Sequence, residues 1–246
     1  MIERVSSQSV PDAFPPDWLG IQARTVLQNG SDRCFVQRTG DAYTALALVL
    51  LGTVRIKMLP GADTDELNAF ADMLGITDII VPSGYSKCFT GFSFRAEALM
   101  RLDGGCDFTQ SADVHFAEYS ARQKLFYDIY SLFFDSDEFF SEWYRDFMKA
   151  LSRDAAACAY VERDGLVVSA AAVPYKTGDG AVLSGVATRE GYRLRGFAGD
   201  CVRAASARAG EPIYLRCRKE LCGFYEKLGY KNFGEVCSGK KKTDER

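Results

Sequence analysis

Residues 181–210 constrain the fold more tightly than any other part of the chain. Ala181–Thr188 is a mostly apolar run of strand length. It passes through Arg189-Glu190-Gly191-Tyr192 into Arg193-Leu194-Arg195-Gly196-Phe197-Ala198-Gly199. From Gly196 to Ala209 small and apolar residues predict a helix, which Gly210 ends. A strand thus runs into a short turn, and a small-residue loop opens a helix. Glycine and alanine in the turn let a ligand approach the backbone. The first N–H groups of a helix lack internal partners, and with the helix dipole they favour an anion. Arg193 and Arg195 add positive charge beside them. A plain tight strand–helix turn would account for the same residues.

The other bounds are broad. At ~100–200 residues per domain, a chain of 246 residues holds one large domain or two small ones. A formal net charge of −3 gives no global pull toward nucleic acid or an anionic membrane, so neither is expected as a partner. Ala45–Leu51, a long apolar run, is far short of the ~20 residues of a membrane helix and reads as a buried strand. Met1–Asp17 lacks the pattern of a signal peptide, so a cytoplasmic location is expected. The eight cysteines include no Cys-x-x-Cys pair and His115 is the single histidine, so no metal site is expected. Lys240–Lys242 reads as a solvated tail.

Along the chain, residues 1–20 carry Pro11, Pro15 and Pro16 and read as irregular. Cys34–Gln37 and Tyr43–Leu51 predict a hairpin turning at Gly40. In Thr53–Leu59, Val54, Ile56 and Met58 share one face and Arg55 and Lys57 the other, which predicts a strand. Asp63 and Glu66 have capping-box spacing before Leu67, Phe70, Ala71 and Leu74, and Gly75 ends that helix. Ile76–Val81 is the next strand. Gly104-Gly105 and the polar residues around Ser111 suggest a boundary near residue 110, giving domains 1–110 and 111–246. Beyond it, Val114–Tyr119 reads as a strand, and Arg122–Phe134 and Ser136–Leu151 as amphipathic helices whose aromatic stripe is core. Ala156–Glu162 and Leu166–Pro174 form a hairpin at Arg163-Asp164-Gly165. Ile213–Arg216 is a strand, Leu221–Leu228 a helix ended by Gly229, and Tyr230–Val236 a final strand. The order strand, strand, strand, helix, strand thus occurs twice, at Cys34–Val81 and at Ala156–Arg216.

Two motifs in the second half carry a family resemblance. Arg193, Gly196 and Ala198 match the pattern Arg/Gln-x-x-Gly-x-Gly/Ala, and Leu221–Tyr230 ends in Tyr225-Glu226-Lys227-Leu228-Gly229-Tyr230. With one strand between them, these motifs resemble those of the GNAT superfamily of N-acetyltransferases, over about half the chain from Val114. The resemblance implies an α/β (α+β) fold, a mixed, mostly antiparallel sheet flanked by helices with a smaller GNAT-like N-terminal domain, and acetyl-CoA as co-substrate with no metal. It implies that the backbone of Val186, Ala187 and Thr188 binds the pantetheine arm. Arg193, Leu194, Arg195, Gly196, Phe197, Ala198 and Gly199 would hold the pyrophosphate. The reaction implied is direct attack of an amine, of a small molecule or a protein, on the thioester. Tyr225 maps onto the residue that protonates the leaving thiolate in many members; packing alone would also account for it.

No base is evident. Glu118, Glu162 and the acidic turn Asp135–Glu138 are weak candidates that solvated charges explain as well, nothing links His115 to either motif, and a water chain would make a single base unnecessary. Arg218 stands where the family often has asparagine, which puts one cofactor contact in doubt. In the first half the corresponding loop carries Pro60, Asp63 and Asp65, which remove an amide and repel phosphate, so residues 1–110 read as a degenerate GNAT-like repeat without cofactor, covering the acceptor side of the other half. Two alternatives stay open: a non-catalytic acyl-CoA-binding or sensing protein, and a transferase of a different acyl group. A homodimer is also left open.

Overall fold

A computed structural model of the protein describes residues 1–5, 10–104, 113–210 and 212–242. It divides into two compact units, Met1–Met100 with Arg216–Cys222 and Asn232–Arg246, and Arg101–Leu215 with Gly223–Lys231. The elements in chain order are β1 (Ile2–Arg4), α1 (Trp18–Gln28), β2 (Cys34–Thr39), β3 (Ala42–Leu50), β4 (Thr53–Met58), α2 (Thr64–Met73), β5 (Asp78–Pro82), β6 (Phe92–Leu102), β7 (Val114–Phe116), α3 (Gln123–Phe133) and α4 (Phe140–Leu151). They continue with β8 (Ala157–Arg163), β9 (Leu166–Thr177), β10 (Gly180–Thr188), α5 (Phe197–Ala209), β11 (Ile213–Arg218), α6 (Cys222–Glu226) and β12 (Lys231–Lys241). The expected boundary near Ser111 lies outside the described residues.

In the first unit β1 to β4 pair antiparallel in sequence order. α2 then carries the chain over to β5, which pairs parallel with β4 from Thr53/Asp78 to Arg55/Ile80. β12 closes on β5 antiparallel, with Val236 opposite Pro82 and Lys240 opposite Asp78. The alternation in β4 places Val54, Ile56 and Met58 in a core with Leu67, Phe70 and Ala71 of α2 and with Ile79, Val81, Phe89 and Phe92. Asp63 caps α2 as expected, accepting from the amides of Asp65 and Glu66 at 3.0 Å. The reciprocal half of the capping box is absent. Glu66 instead accepts from Ile2 N at 2.7 Å and Gln37 Nε2 at 2.8 Å, and Gln37 Oε1 takes the Asp63 amide at 2.9 Å. That exchange fastens β1 and β2 to the start of α2.

Three sequence expectations need correction here. Residues 18–28 are helical, because Pro15 and Pro16 precede the cap instead of interrupting the helix, and Asp17 accepts from the amides of Leu19 and Gly20. Lys240 and Lys241 belong to β12 and not to a solvated tail; Lys241 pairs with Asp72 at 2.8 Å, and Lys242 Nζ donates to Thr90 O at 2.9 Å. The last helix is shorter than Leu221–Leu228, a single α turn following a 3-10 turn at Lys219–Leu221.

The second unit repeats the same order. β7, β8, β9 and β10 pair antiparallel, and α5 crosses to β11, which runs parallel to β10. The β8–β9 hairpin turns through Asp164 at φ 52° and Gly165 at φ 75°, the left-handed pair that a two-residue hairpin needs. Ala170, Ala171 and Ala172 make β9 a low, fully buried surface on which α5 lies close. Phe126 and Tyr130 of α3 meet Phe147 and Trp143 of α4, whose rings stack at 5.0 Å, and all four are buried, so the aromatic stripe is core. Ser206 of α5 and Tyr230 share a buried hydroxyl–hydroxyl bond of 2.8 Å.

Both hydroxyls are buried, so removing one takes this bond from the other. Tyr230→Phe is expected to lower unfolding free energy by about 1–3 kcal/mol in urea titrations. Combining it with Ser206→Ala should recover part of that loss; a strictly additive double variant would show that the bond contributes nothing.

Candidate functional site

The parallel pair β10–β11 is short. It joins Ala181, Val182 and Leu183 to Ile213, Tyr214 and Leu215, while β10 runs on to Thr188. Around Ser184 the β9–β10 ladder shifts register twice. Gly185 sits there at φ 77°, and a Cβ on it would lie 2.8 Å from the Phe133 ring of α3. This bulge re-aims the strand. Among the described residues of the second unit, no strand pairs with the far edge of β10 beyond Leu183. Val186, Ala187 and Thr188 are half-buried along that edge. Ser169 Oγ donates to Ala187 O at 3.2 Å and bonds Thr188 Oγ1 at 2.8 Å, and Arg193 Nε donates to Thr188 O at 3.2 Å. Ser169 was not singled out from the sequence. It sits in a run of valines and alanines, and only the antiparallel register brings it to β10.

The loop after β10 is built around backbone. A 3-10 turn at Glu190–Tyr192 leads to Leu194 at φ 62° and Gly196 at φ 86°. A leucine held left-handed and fully solvent-exposed is not explained by packing. Gly196 is the N-cap of α5, with no side chain capping the helix, and the first backbone bond to close on it is Asp200 N to Gly196 O at 3.1 Å. The amides of Phe197, Ala198 and Gly199 therefore point out of the helix end. A Cβ built on Gly196 meets nothing within 4 Å, so the space in front of that end is open. Three guanidinium groups flank the loop. Arg193 is exposed, Arg195 lies 5.3 Å over the Tyr192 ring, and Arg163 lies 5.0 Å over the Phe197 ring. Asp200, the acid of the first helical turn, is paired with Arg203 at 3.1 Å.

The corresponding place in the first unit is closed. The Asp63 carboxylate already occupies the amides of Asp65 and Glu66, and the amide of Asp63 is taken by Gln37.

Tyr225 is buried at 6% exposure, edge-to-face with Phe224 and Tyr230 at 4.9 and 5.8 Å. Its carbonyl accepts from the amides of Leu228 and Tyr230, which turns the chain through Gly229 at φ 90°. Of the acids considered as bases, Glu118 is held by Arg208 at 2.8 Å, in the last turn of α5 and so at the end opposite the loop. Asp137 accepts the Tyr127 hydroxyl at 3.0 Å, a bond to a charged acceptor that raises the Tyr127 pKa. Glu162 is exposed, His115 stands 5.6 Å from the Tyr160 ring, and Arg218 is the exposed last residue of β11.

Residues 123–230 match the model of the acetyltransferase (GNAT) family. No curated protein matches the chain. Among solved structures it is similar to a GCN5-related N-acetyltransferase from Kribbella flavida, 14% identical over 85% of this chain and 90% of that one, with TM-score 0.58. It is similar to a GCN5-related N-acetyltransferase-like protein from Streptococcus suis, 17% identical over 83% and 86%, with TM-score 0.57. It is also similar to a tandem GNAT protein from the clavulanic acid biosynthesis pathway, 12% identical over 92% and 90%, with TM-score 0.58. At such identities the likeness is one of fold, and the mixed sheet flanked by helices is the GNAT fold.

The bulge depends on Gly185 both for its φ and for its missing Cβ. Gly185→Ala is expected to destabilise the protein by about 1–3 kcal/mol, read as a lower urea midpoint. A midpoint equal to that of the parent would mean that the strand tolerates a methyl group against Phe133.

Proposed function

Residues 123–230 are a domain of the GNAT acetyltransferase family, and on that premise we propose that the protein transfers an acetyl group from acetyl-CoA to an amine of a small molecule or a protein. The observation that carries this reading is the contrast between two helix starts. α5 opens on glycine with free amides and arginines around it, whereas α2 opens on an aspartate that fills its own amides. Catalysis is accordingly assigned to residues 111–246, and residues 1–110 are read as a repeat that binds no acetyl-CoA. A cytoplasmic site of action goes with this reading. Among the described residues no helix is long and apolar enough to cross a membrane.

The loop fits a pyrophosphate in charge and in space. Phe197, Ala198 and Gly199 would donate their amides, and Arg193 and Arg195 would neutralise the phosphates. The unpaired edge of Val186, Ala187 and Thr188 would pair with the amide groups of the pantetheine arm. Bound acetyl-CoA supplies a thioester that an amine attacks at the carbonyl carbon, forming a C–N bond as the C–S bond breaks. Tyr225 Oη would give its proton to the departing sulfur and recover one from the protonated nitrogen of the tetrahedral adduct, which leaves a neutral amide. A thiol with a pKa of ~8.5 leaves far better protonated near neutral pH. A second reading, binding of the acyl-CoA without turnover, is favoured by the engagement of Glu118 and Asp137 in other bonds.

Calorimetric titration with acetyl-CoA is expected to give one site per chain, and Gly196→Asp to remove it, since a carboxylate would stand among the free amides. Two sites, or unchanged binding by the variant, would contradict the assignment. Once an acceptor amine is found, Tyr225→Phe should lower kcat by ~100-fold, the low end for general acid catalysis, with little change in acetyl-CoA affinity. An unchanged kcat with chemistry rate-limiting would leave Tyr225 a packing residue.

A further inference from the structure

The first unit holds a polar layer that its fold does not require. On β4 the even residues face the α2 core, while Arg55 and Lys57 project from the opposite face. β6 behaves likewise, with Phe92, Phe94 and Ala96 against the core and Arg95 and Glu97 on the other face. α1 brings buried Trp18 and buried Gln22 to these charges, and Arg216 of β11 joins them. Arg55 and Arg216 both lie over the Trp18 ring, at 6.0 and 5.9 Å.

The charges do not balance. Lys57 is paired with Asp17 and cancels it. Glu97, whose side chain is 5% exposed, serves both Arg95, at 2.8 Å, and Arg216. Among the described residues Arg55 has only the neutral side-chain oxygen of Gln22 as acceptor, and its Nε is buried without a partner. Two guanidinium groups thus share one carboxylate, a third beside them has a neutral acceptor, and a buried donor is left over. A buried polar group without a partner is costly, and a buried uncompensated charge more so. Burial, Arg55 and Arg95 together pull the Arg216 pKa below its ordinary value, the direction expected where cations are crowded. The groups are not sealed off: the Arg216 side chain is 27% exposed and that of Arg95 is 56% exposed.

We propose that Arg55, Arg95 and Arg216, gathered about Trp18 and Glu97, form a binding site for the oxyanion end of a small molecule, a carboxylate or a phosphate. Guanidinium forks match both groups in geometry, offering paired donors to paired oxygens. The anion completes the charge that Glu97 supplies only in part. Gln22, Trp18 and Glu97 hold the arginines in place before the ligand arrives. This site is separate from the loop at Arg193–Gly199 and does not rest on the acyl-transfer reading.

The test uses the full chain carrying Gly196→Asp, so that phosphate has no access to the α5 loop. Sodium phosphate and sodium succinate are titrated separately at constant ionic strength, by calorimetry and by thermal melting. Saturable binding of at least one anion, with Kd of about 1 mM or tighter, is expected. Phosphate alone would identify a phosphoryl ligand and succinate alone a carboxylate, either of which supports the site. Arg55→Met and Arg95→Ala should each weaken binding by about 10-fold. If Arg55→Met fails to fold, Arg95→Ala decides the matter, because its side chain is mostly exposed. No saturable binding of either anion, or parental affinity in Arg95→Ala, would overturn the proposal.

Discussion

The site depends on a parallel pairing that stops after three residues. β10 and β11 are joined at Ala181–Leu183 and Ile213–Leu215, and the next turn of β10 is a bulge at Ser184 and Gly185. Parallel strands need a crossover, and α5 is that crossover. Its start must therefore lie just beyond the end of β10. The early end of the pairing leaves strand edge at Val186–Thr188, and the crossover sets helix amides a few residues further on. One constraint thus supplies both an unpaired strand edge and, a few residues on, a helix start flanked by arginines.

The two units differ at the start of their crossover helices. Each has an antiparallel strand trio, a crossover helix and a parallel strand. α5 begins on Gly196, which brings no acceptor, and its first amides stay open. α2 begins on Asp63, whose carboxylate takes two amides, and Gln37 takes a third. A negative side chain at that position stabilises the helix, and the same charge excludes phosphate. The first unit instead gathers cations on another face, around Trp18, where Arg55, Arg95 and Arg216 outnumber Glu97.

The strand–loop–helix at residues 181–210 was legible because its signals are local: an apolar run, glycine at the turn and glycine at the exit. Tyr225-Glu226-Lys227-Leu228-Gly229-Tyr230 was legible for the same reason. α1 was not, since it is buried nearly all round and offers no polar face to set its period, and the prolines before it masked its cap. β12 was read five residues too short at its C-terminal end, because its partners Asp78–Pro82 lie more than 150 positions earlier and lysines gave no strand signal. The alternation of β4 was correct in the sequence. That its charged face would be covered by α1 was not, because no periodicity reports what a face packs against. Ser169 was invisible for a like reason, since it meets β10 only through its register opposite Thr188.

Hydrogen–deuterium exchange with and without acetyl-CoA tests the central claim most directly, because it reads the backbone groups that are said to bind. Residues 186–199 should gain protection when acetyl-CoA is added, and residues 58–66 should not change. Protection confined to 58–66, or none in 186–199 at saturating acetyl-CoA, would contradict the account.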